Sequence, residues 1–433
     1  VPAAFYDDRL EKNMNYKEAL EYIDGVSWLG SKPGLERISA LLEKLDEPQN
    51  KLKFIHIAGT NGKGSTAAML ASVMKCSGYK TGLFTSPYIS CFNERMQING
   101  KMIEDEELAE IVTRVAHAAD SMEEHPTEFE LMTAAALVWF ESSGCDIVVL
   151  ETGLGGRLDA TNVIPAPELA VITNIGLDHT AILGDTVEKI AAEKAGIIKP
   201  GCSVVLYQQQ ESVMDVIRAK CDEVGASLII ADFASIKPEF DSLYGQSFDY
   251  KGETYAIPLL GKNQTKNSAV ALEAVDVLRA KGWKLEQSDV EHGMYAVAWP
   301  GRFELINDDP LFIVDGGHNP QCAETVVENL DTYFHGNRKV LLVSMLADKD
   351  VQGTLKVLSR VADEFVCTTA ISDRAMPAEE LAALCKKYGK TVTAVPKIQD
   401  AVDKAIRAAG KYGMVCAVGS LYSVSEIRRC FNL

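Results

Sequence analysis

The chain has 433 residues, with 43 Lys+Arg against 61 Asp+Glu for a formal net charge of −18, and is 47% hydrophobic and 24% charged. Enough apolar sequence is present for two or three packed cores, which excludes disorder as a global description. The acidic excess argues against coating a polyanion such as duplex DNA, and the longest suggestive run, Leu131 to Phe140, is far short of the roughly 20 apolar residues a spanning helix needs.

In chain order, Phe54 to Ala58 reads as a short buried strand entering a Gly-rich turn. A helix follows over Ser65 to Lys75, with Ala67, Leu70, Ala71 and Met74 on one face. Thr127, with Glu130 three residues on, forms a capping box ahead of the apolar helix Leu131 to Phe140. Asp146 to Leu150 and Leu169 to Ile175 are two further buried strands. Asp185 and Glu188 mark a helix start of the Asx-x-x-Glu type, with Val187, Ile190 and Ala191 on its apolar face. Ser203 to Leu206 and Leu228 to Ala231 flank a helix, and Phe248 to Ile257 reads as a hairpin turning at Lys251-Gly252. Pro and Gly punctuate Ala298-Trp299-Pro300-Gly301, which marks a boundary between domains of residues 1–298 and 299–433. Beyond it come strands at Leu311 to Val314, Lys339 to Val343, Glu364 to Cys367 and Met414 to Val418, and a closing helix over Leu421 to Arg429. Strands alternating with helices predict an α/β fold with parallel sheets.

The strongest chemical signal is Gly59-Thr60-Asn61-Gly62-Lys63-Gly64-Ser65-Thr66, between a strand and a helix. Glycines let backbone N–H groups wrap phosphate oxygens, the helix N-terminus adds positive potential, and Lys63 adds a full charge. The hydroxyl of Ser65 or Thr66 falls where such loops meet phosphate or magnesium. The spacing departs from the usual Walker form, with Ile57 in place of the first Gly and Gly64 after the Lys; the plain alternative is a simple Gly-rich connection. Glu151 ends a buried strand ahead of Thr152-Gly153-Leu154-Gly155-Gly156-Arg157, at the sheet edge where ligands bind, and is either a magnesium ligand or a solvated strand-end carboxylate. His179, after the strand ending near Ile175, is a metal-ligand candidate or a hydrogen-bonded loop residue.

Lys194 falls on the apolar face seven residues after Val187. Desolvating an ammonium is costly, so either its stem reaches water or the amine is neutral or modified. Carbamylation by carbon dioxide turns such a cation into an anionic oxygen ligand suited to magnesium. Asp315-Gly316-Gly317-His318-Asn319-Pro320 follows a strand and precedes a helix; its Asp and His orient a substrate group or cap the helix. Arg302, just past the linker, is placed to reach a phosphate.

These residues resemble the folylpolyglutamate synthase/dihydrofolate synthase branch of the Mur ligase family. The match runs in order through Gly34-Leu35-Glu36-Arg37-Ile38, Gly59 to Thr66, Thr85-Ser86-Pro87, Phe92-Asn93-Glu94-Arg95, Thr127 to Glu130, Glu151 to Asn162 and Gly176 to Thr180. It continues through Glu193-Lys194-Ala195-Gly196, Trp299 to Glu304, Asp315 to Pro320 and Gly419-Ser420-Leu421-Tyr422. One Gly of Asp315-Gly316-Gly317-His318 stands where the family often has Ala.

The resemblance implies a phosphate-loop ATPase domain with a parallel sheet, a smaller Rossmann-like C-terminal domain, and an active site between them. It implies that a folate carboxylate is activated by ATP as an acyl phosphate and captured by L-glutamate, with ADP and phosphate released. Tetrahydrofolate is the implied acceptor and dihydropteroate a second candidate. By the family pattern, Gly59 to Thr66, Asn267, Arg302 and Asp315 contact ATP. Ser86 and Glu151 hold one magnesium; Glu151, His179 and carbamylated Lys194 surround a second, and potassium is a further candidate ion. Thr127, Phe129, Glu130, Leu158, Asp159 and Ala160 lie where bifunctional members hold the pterin, and His318 lies near the reacting groups. Lys63, Glu151, His179, Lys194 and His318 form the implied catalytic set. A ligase for another acid, such as a peptidoglycan precursor, is the rival within the enzymes, and the Glu151-to-Asn162 and Trp299-to-Glu304 motifs favour folate. A nucleotide-binding regulator without catalysis is the rival outside them, and retention of Lys63, Glu151, His179 and Lys194 speaks against it.

The 10 cysteines contain no CxxC and read as reduced thiols. The opening residues, with Asp7, Asp8 and Arg9, lack the apolar core of a secretory signal, and Val1 in place of Met points to a trimmed start. A cytoplasmic monomer is the expectation, with small-molecule substrates and neither nucleic acid nor membrane as partner.

Overall fold

A computed structural model describes residues 13–26, 30 and 32–433; the opening stretch with Asp7, Asp8 and Arg9 lies outside the described residues. Seventeen strands are described: β1 Phe54–Ala58, β2 Thr81–Phe84, β3 Met96–Ile98, β4 Lys101–Met102, β5 Ile147–Glu151, β6 Leu169–Ile172, β7 Ser203–Leu206, β8 Ser227–Ile230, β9 Ile236–Ser242, β10 Gly245–Tyr250, β11 Glu253–Ile257, β12 Glu304–Asp308, β13 Leu311–Asp315, β14 Lys339–Val343, β15 Glu364–Cys367, β16 Thr391–Ala394 and β17 Met414–Val418. They form an eight-stranded sheet in the order β4-β3-β2-β5-β1-β6-β7-β8, a three-stranded sheet β11-β10-β9, and a six-stranded sheet β12-β13-β17-β14-β15-β16.

In the large sheet β2, β5, β1, β6, β7 and β8 are parallel, and β3 and β4 add an antiparallel edge. Strands β1, β5 and β6 are buried at every position, the mark of a parallel sheet covered on both faces. Helix Lys63–Cys76 and helix Glu128–Ser142 each bury most of their length for the same reason. Their apolar residues leave almost no polar face, so neither reads as a one-sided surface helix. The six-stranded sheet is parallel except for β12, which runs antiparallel to β13.

The described chain groups into two compact units: residues 1–232 with 267–293, and residues 233–266 with 294–433. Along the chain, residues 233–266 therefore precede a return to the first unit at 267–293. The three-stranded sheet joins the second unit, because Tyr333 Oη donates to Asp241 Oδ1 at 2.5 Å and accepts from Gly261 N at 3.1 Å. No described helix is long and apolar enough to cross a membrane.

Of the expected elements, β1, β7, β14, β15, β17 and helix Leu421–Arg429 appear at the expected limits, and the hairpin at Lys251-Gly252 is β10 with β11. Strand β2 was not foreseen. It has four residues, one of them Gly82, where a Cβ would come within 2.8 Å of Phe140 Cδ1. The close packing that demands glycine removes the β-branched pattern by which a strand is recognised. The Asp185 cap is corrected: Thr186 is the N-cap, accepting from Lys189 N at 3.3 Å, while Asp185 pairs with the Lys189 ammonium at 2.8 Å.

The phosphate-loop helix is seated by a close helix–helix approach. Ser72 Oγ donates to the Gly293 carbonyl at 2.6 Å, and a Cβ on Gly293 would lie 2.5 Å from Val73 Cα. Because the obstructing atom is backbone, Gly293→Ala forces the two helices apart. Overpacking of this kind costs about 1–3 kcal/mol, so urea unfolding of Gly293→Ala is expected to show a lowered midpoint with an unchanged slope.

Candidate functional site

The loop Gly59–Gly62 leaves the carboxyl end of β1, in the middle of the large sheet. Its shape is held from the end of β6: Thr60 N and Asn61 N both donate to the Asn174 carbonyl, at 2.8 and 3.2 Å. Thr60 Oγ1 lies 3.1 Å from both the carbonyl and the N–H of Gly176. Two glycines are dictated by space. A Cβ on Gly59 would fall 1.8 Å from Thr173 Oγ1, and one on Gly62, at φ +87°, would fall 2.6 Å from Asn267 Oδ1. The left-handed turn at Gly62 starts helix Lys63–Cys76 two residues earlier than the sequence suggested. Asn267 is thus brought to the loop. Ser65 and Thr66 are both buried, and Thr66 Oγ1 has no hydrogen-bond partner among the described residues.

Glu151 ends β5, next to β1, and is buried. Its Oε1 lies 3.8 Å from Lys63 Nζ, and its Oε2 accepts the Ser86 N–H at 3.2 Å. Lys63, Glu151 and Ser86 are therefore brought together, Ser86 through its backbone. Lys194 is only 3% exposed and Nζ donates to the Gly59 carbonyl at 2.7 Å. Burial lowers this ammonium's pKa to about 7, with the Lys63 charge adding to the effect. The solvent-reaching alternative for Lys194 is excluded; it touches the loop itself.

His179 sits at φ +49°, a left-handed conformation rare for a residue with a Cβ. Its N–H donates to Asp178 Oδ1 at 2.8 Å, and Nε2 lies 3.8 Å from the same oxygen. No group of three or more His, Cys, Asp or Glu side chains is poised to hold a metal among the described residues. Glu151 beside a phosphate loop nonetheless suits magnesium, which takes one or two carboxylates and completes its shell with phosphate oxygens and water.

A second set of groups surrounds helix Glu128–Ser142. Thr127 caps it, and Glu130 Oε2 receives three donors: Thr127 N at 2.7 Å, Thr127 Oγ1 at 2.9 Å and Arg37 Nε at 3.1 Å. Glu130 Oε1 is buried without a hydrogen-bond partner among the described residues, an acceptor held ready at a cost. Phe129 lies against Gly153, where a Cβ would come within 2.5 Å of Phe129 Cζ. Asp159 is engaged by its own chain, Oδ2 by Leu154 N at 2.7 Å and Oδ1 by Thr161 N at 3.0 Å. Burial raises its carboxyl above the usual range, against the pull of those donors. Arg37 was visible only as part of a motif; its role as the partner of Glu130 spans 93 residues and has no local signature.

In the second unit, Asp315 ends β13. Its Oδ2 accepts Phe303 N at 2.8 Å and its Oδ1 accepts Gly317 N at 2.6 Å. Burial raises its carboxyl and the Arg302 guanidinium opposes that rise. Phe303, at φ +43°, is a strained residue fixed by this bond and by its buried ring. His318 Nδ1 lies 3.1 Å from the Gly316 carbonyl, while Asn319 caps helix Pro320–Tyr333. Arg302, Asp315 and His318 are thus one cluster.

A phosphate loop on a parallel sheet, with a buried carboxylate and a buried lysine at its rim, defines a nucleotide-dependent α/β enzyme. Residues 57–275 match the Mur ligase middle domain and residues 301–421 the Mur ligase glutamate ligase domain. The chain is 37% identical to the dihydrofolate synthase/folylpolyglutamate synthase of Bacillus subtilis (strain 168), over 96% of this chain and 98% of that protein. It resembles the Mycobacterium tuberculosis folylpolyglutamate synthase complexed with ADP and AMPPCP, with a TM-score of 0.88, 31% identity, and coverage of 97% and 99% of the two chains. A bifunctional folylpolyglutamate synthase/dihydrofolate synthase with Mn, AMPPNP and L-glutamate bound gives a TM-score of 0.83 at 30% identity, covering 98% and 100%. The chain belongs to the Mur ligase family, in its folylpolyglutamate synthase/dihydrofolate synthase branch.

The depressed Lys194 pKa carries a stability signature. Above about pH 7 the folded amine is neutral, while the unfolded one holds its proton to its ordinary value of 10.5. Unfolding therefore takes up a proton in that window, and stability rises with pH through it. Relative to Lys194→Met, the urea midpoint of the parent protein is expected to climb between pH 7 and 10; parallel profiles would show an amine that is protonated in place.

Proposed function

We propose that this chain is an ATP-dependent ligase that joins L-glutamate to the carboxylate of a folate, with tetrahydrofolate as acceptor and dihydropteroate as a second substrate. The observation that carries the reading is Lys63 beside buried Glu151 at the phosphate loop, in a chain of this family. A carboxylate is a poor electrophile. Its oxygen attacks the γ-phosphorus of ATP, ADP leaves, and an acyl phosphate results. The free amine of glutamate then adds to the acyl carbon, and the tetrahedral intermediate expels phosphate and loses a proton to give the amide.

Each residue has a task that its chemistry supports. The N–H groups at the start of helix Lys63–Cys76, with the Lys63 ammonium, offset negative charge as it moves between phosphate oxygens. Glu151 and Ser86 would hold one magnesium, and Glu151, His179 and Lys194 would border a second; potassium is a further candidate. Bound divalent metal supplies charge neutralisation where two anions must meet. A neutral Lys194 amine is the form that adds carbon dioxide, releasing one proton, and the carbamate keeps one N–H for the Gly59 carbonyl. Asn267, Arg302 and Asp315 serve ATP, and His318 serves the reacting groups. Thr127, Phe129, Glu130, Leu158, Asp159 and Ala160 serve the pterin, for which Glu130 Oε1, without a partner among the described residues, is a suitable acceptor. Residues 1–298 would carry ATP and folate, and 299–433 the glutamate ligase function.

Transfer of labelled glutamate with ATP, offering tetrahydrofolate and dihydropteroate separately, tests the reading. Incorporation with both is expected; incorporation with tetrahydrofolate alone restricts the enzyme to polyglutamylation, and incorporation with neither overturns the folate assignment. Lys194→Ala is expected to lose ligation by about 10- to 100-fold, the scale seen when a metal site's supporting groups are removed, while equilibrium ADP binding largely survives. Ligation at the parent rate would remove Lys194 from the site.

A further inference from the structure

His56 stands in the middle of β1, fully buried, three residues ahead of Gly59. Neither the sequence motifs nor the reaction uses it. Burial and the nearby Lys199 charge lower its pKa to about 3, so the ring is neutral. A neutral imidazole has one N–H, and which nitrogen carries it follows from a count of hydrogens.

His56 Nε2 lies 2.9 Å from Thr161 Oγ1, and Thr161 Oγ1 donates to Asp159 Oδ1 at 2.5 Å. The Thr161 hydroxyl has one hydrogen. With Asp159 ionised, the form its Leu154 and Thr161 N–H donors favour, giving that hydrogen to His56 would set two bare acceptors face to face at the hydroxyl–carboxylate contact. The hydrogen therefore goes to Asp159, and His56 Nε2 must be the donor to Thr161. His56 Nδ1 has no hydrogen-bond partner among the described residues. Orphaned buried N–H groups are rarer in folded proteins than under-satisfied acceptors, which favours the same tautomer.

The relay Nε2–H to Thr161 O–H to Asp159 ends on a carboxylate that holds two segments at once. Asp159 Oδ2 accepts Leu154 N, and Asp159 Oδ1 accepts Thr161 N at the head of the turn Ala160–Val163. We propose that His56 is a positioning residue: by donating to Thr161 it aims that hydroxyl at Asp159 and keeps the Gly153–Asp159 loop in the shape that receives the folate. The folate part of this statement rests on the function proposed above; the relay itself does not.

The test uses His56→Gln, His56→Met, Thr161→Val and the double variant His56→Met/Thr161→Val. The Gln amide nitrogen falls where Nε2 stands, so it restores the donor; Met fills the space without one. His56→Met and Thr161→Val are each expected to raise KM for the folate about tenfold, the scale of one lost hydrogen bond of about 1.4 kcal/mol, with KM for ATP nearly unchanged. The double variant is expected to match the singles, and His56→Gln to stay within about threefold of the parent. Amide exchange at Leu154 and Thr161 is expected to accelerate about tenfold in His56→Met and not in His56→Gln. That readout needs no folate. If the parent ligates nothing, the function fails while exchange still decides the relay. Unchanged exchange in His56→Met, a His56→Gln as impaired as His56→Met, or additive single variants would overturn the proposal.

Discussion

The bond from Lys194 Nζ to the Gly59 carbonyl is the contact on which the rest of the first site depends. It places an amine inside the protein, out of water, against the first residue of a phosphate loop. An ammonium there meets both desolvation and the Lys63 charge, which is why its pKa falls toward neutrality. Helix Val187–Ala195 is held to the loop by a group that is useful because it is uncomfortable.

Two parallel strands supply the other half of that arrangement. Adjacent β1 and β5 end level, with Ile57 paired to Glu151, so the strand-end carboxylate and the loop lysine emerge side by side. Ligands bind at the carboxyl ends of such strands because loops there are free to vary while the sheet beneath is buried on both faces. The six-stranded sheet repeats the logic with Asp315 at the end of β13, each of its two oxygens accepting one backbone N–H, from Phe303 and Gly317. Three buried carboxylates divide in the same way: Asp159 and Asp315 shape loops through backbone N–H groups, whereas one Glu130 oxygen has no hydrogen-bond partner among the described residues.

Some positions where the chain departs from ordinary preferences lie at these loops. His179 and Phe303 adopt left-handed backbone without being glycine, and Gly59, Gly62 and Gly153 are glycine because a Cβ would strike Thr173, Asn267 and Phe129. Strain and enforced smallness of this kind persist where the surroundings over-determine them.

Much was legible in the sequence. The alternation of short apolar runs with helical patterns specified the α/β layers, because burial on both faces of a strand writes a continuous apolar run. The phosphate loop, Glu151 and the capping box at Thr127 carry signals within a few residues of one another, since each is a local turn or helix end. Lys194 showed itself as a cation on an apolar face. Tertiary structure alone decided the rest. Strand β2 hides because Phe140 requires a glycine in it. Residues 233–266 pack with the second unit through Tyr333. Arg37 to Glu130 and His56 to Thr161 join partners 93 and 105 residues apart. Local pattern determines which groups point inward; only the folded chain determines what each of them meets there, and for a buried polar atom the partner sets its charge, its proton and its use.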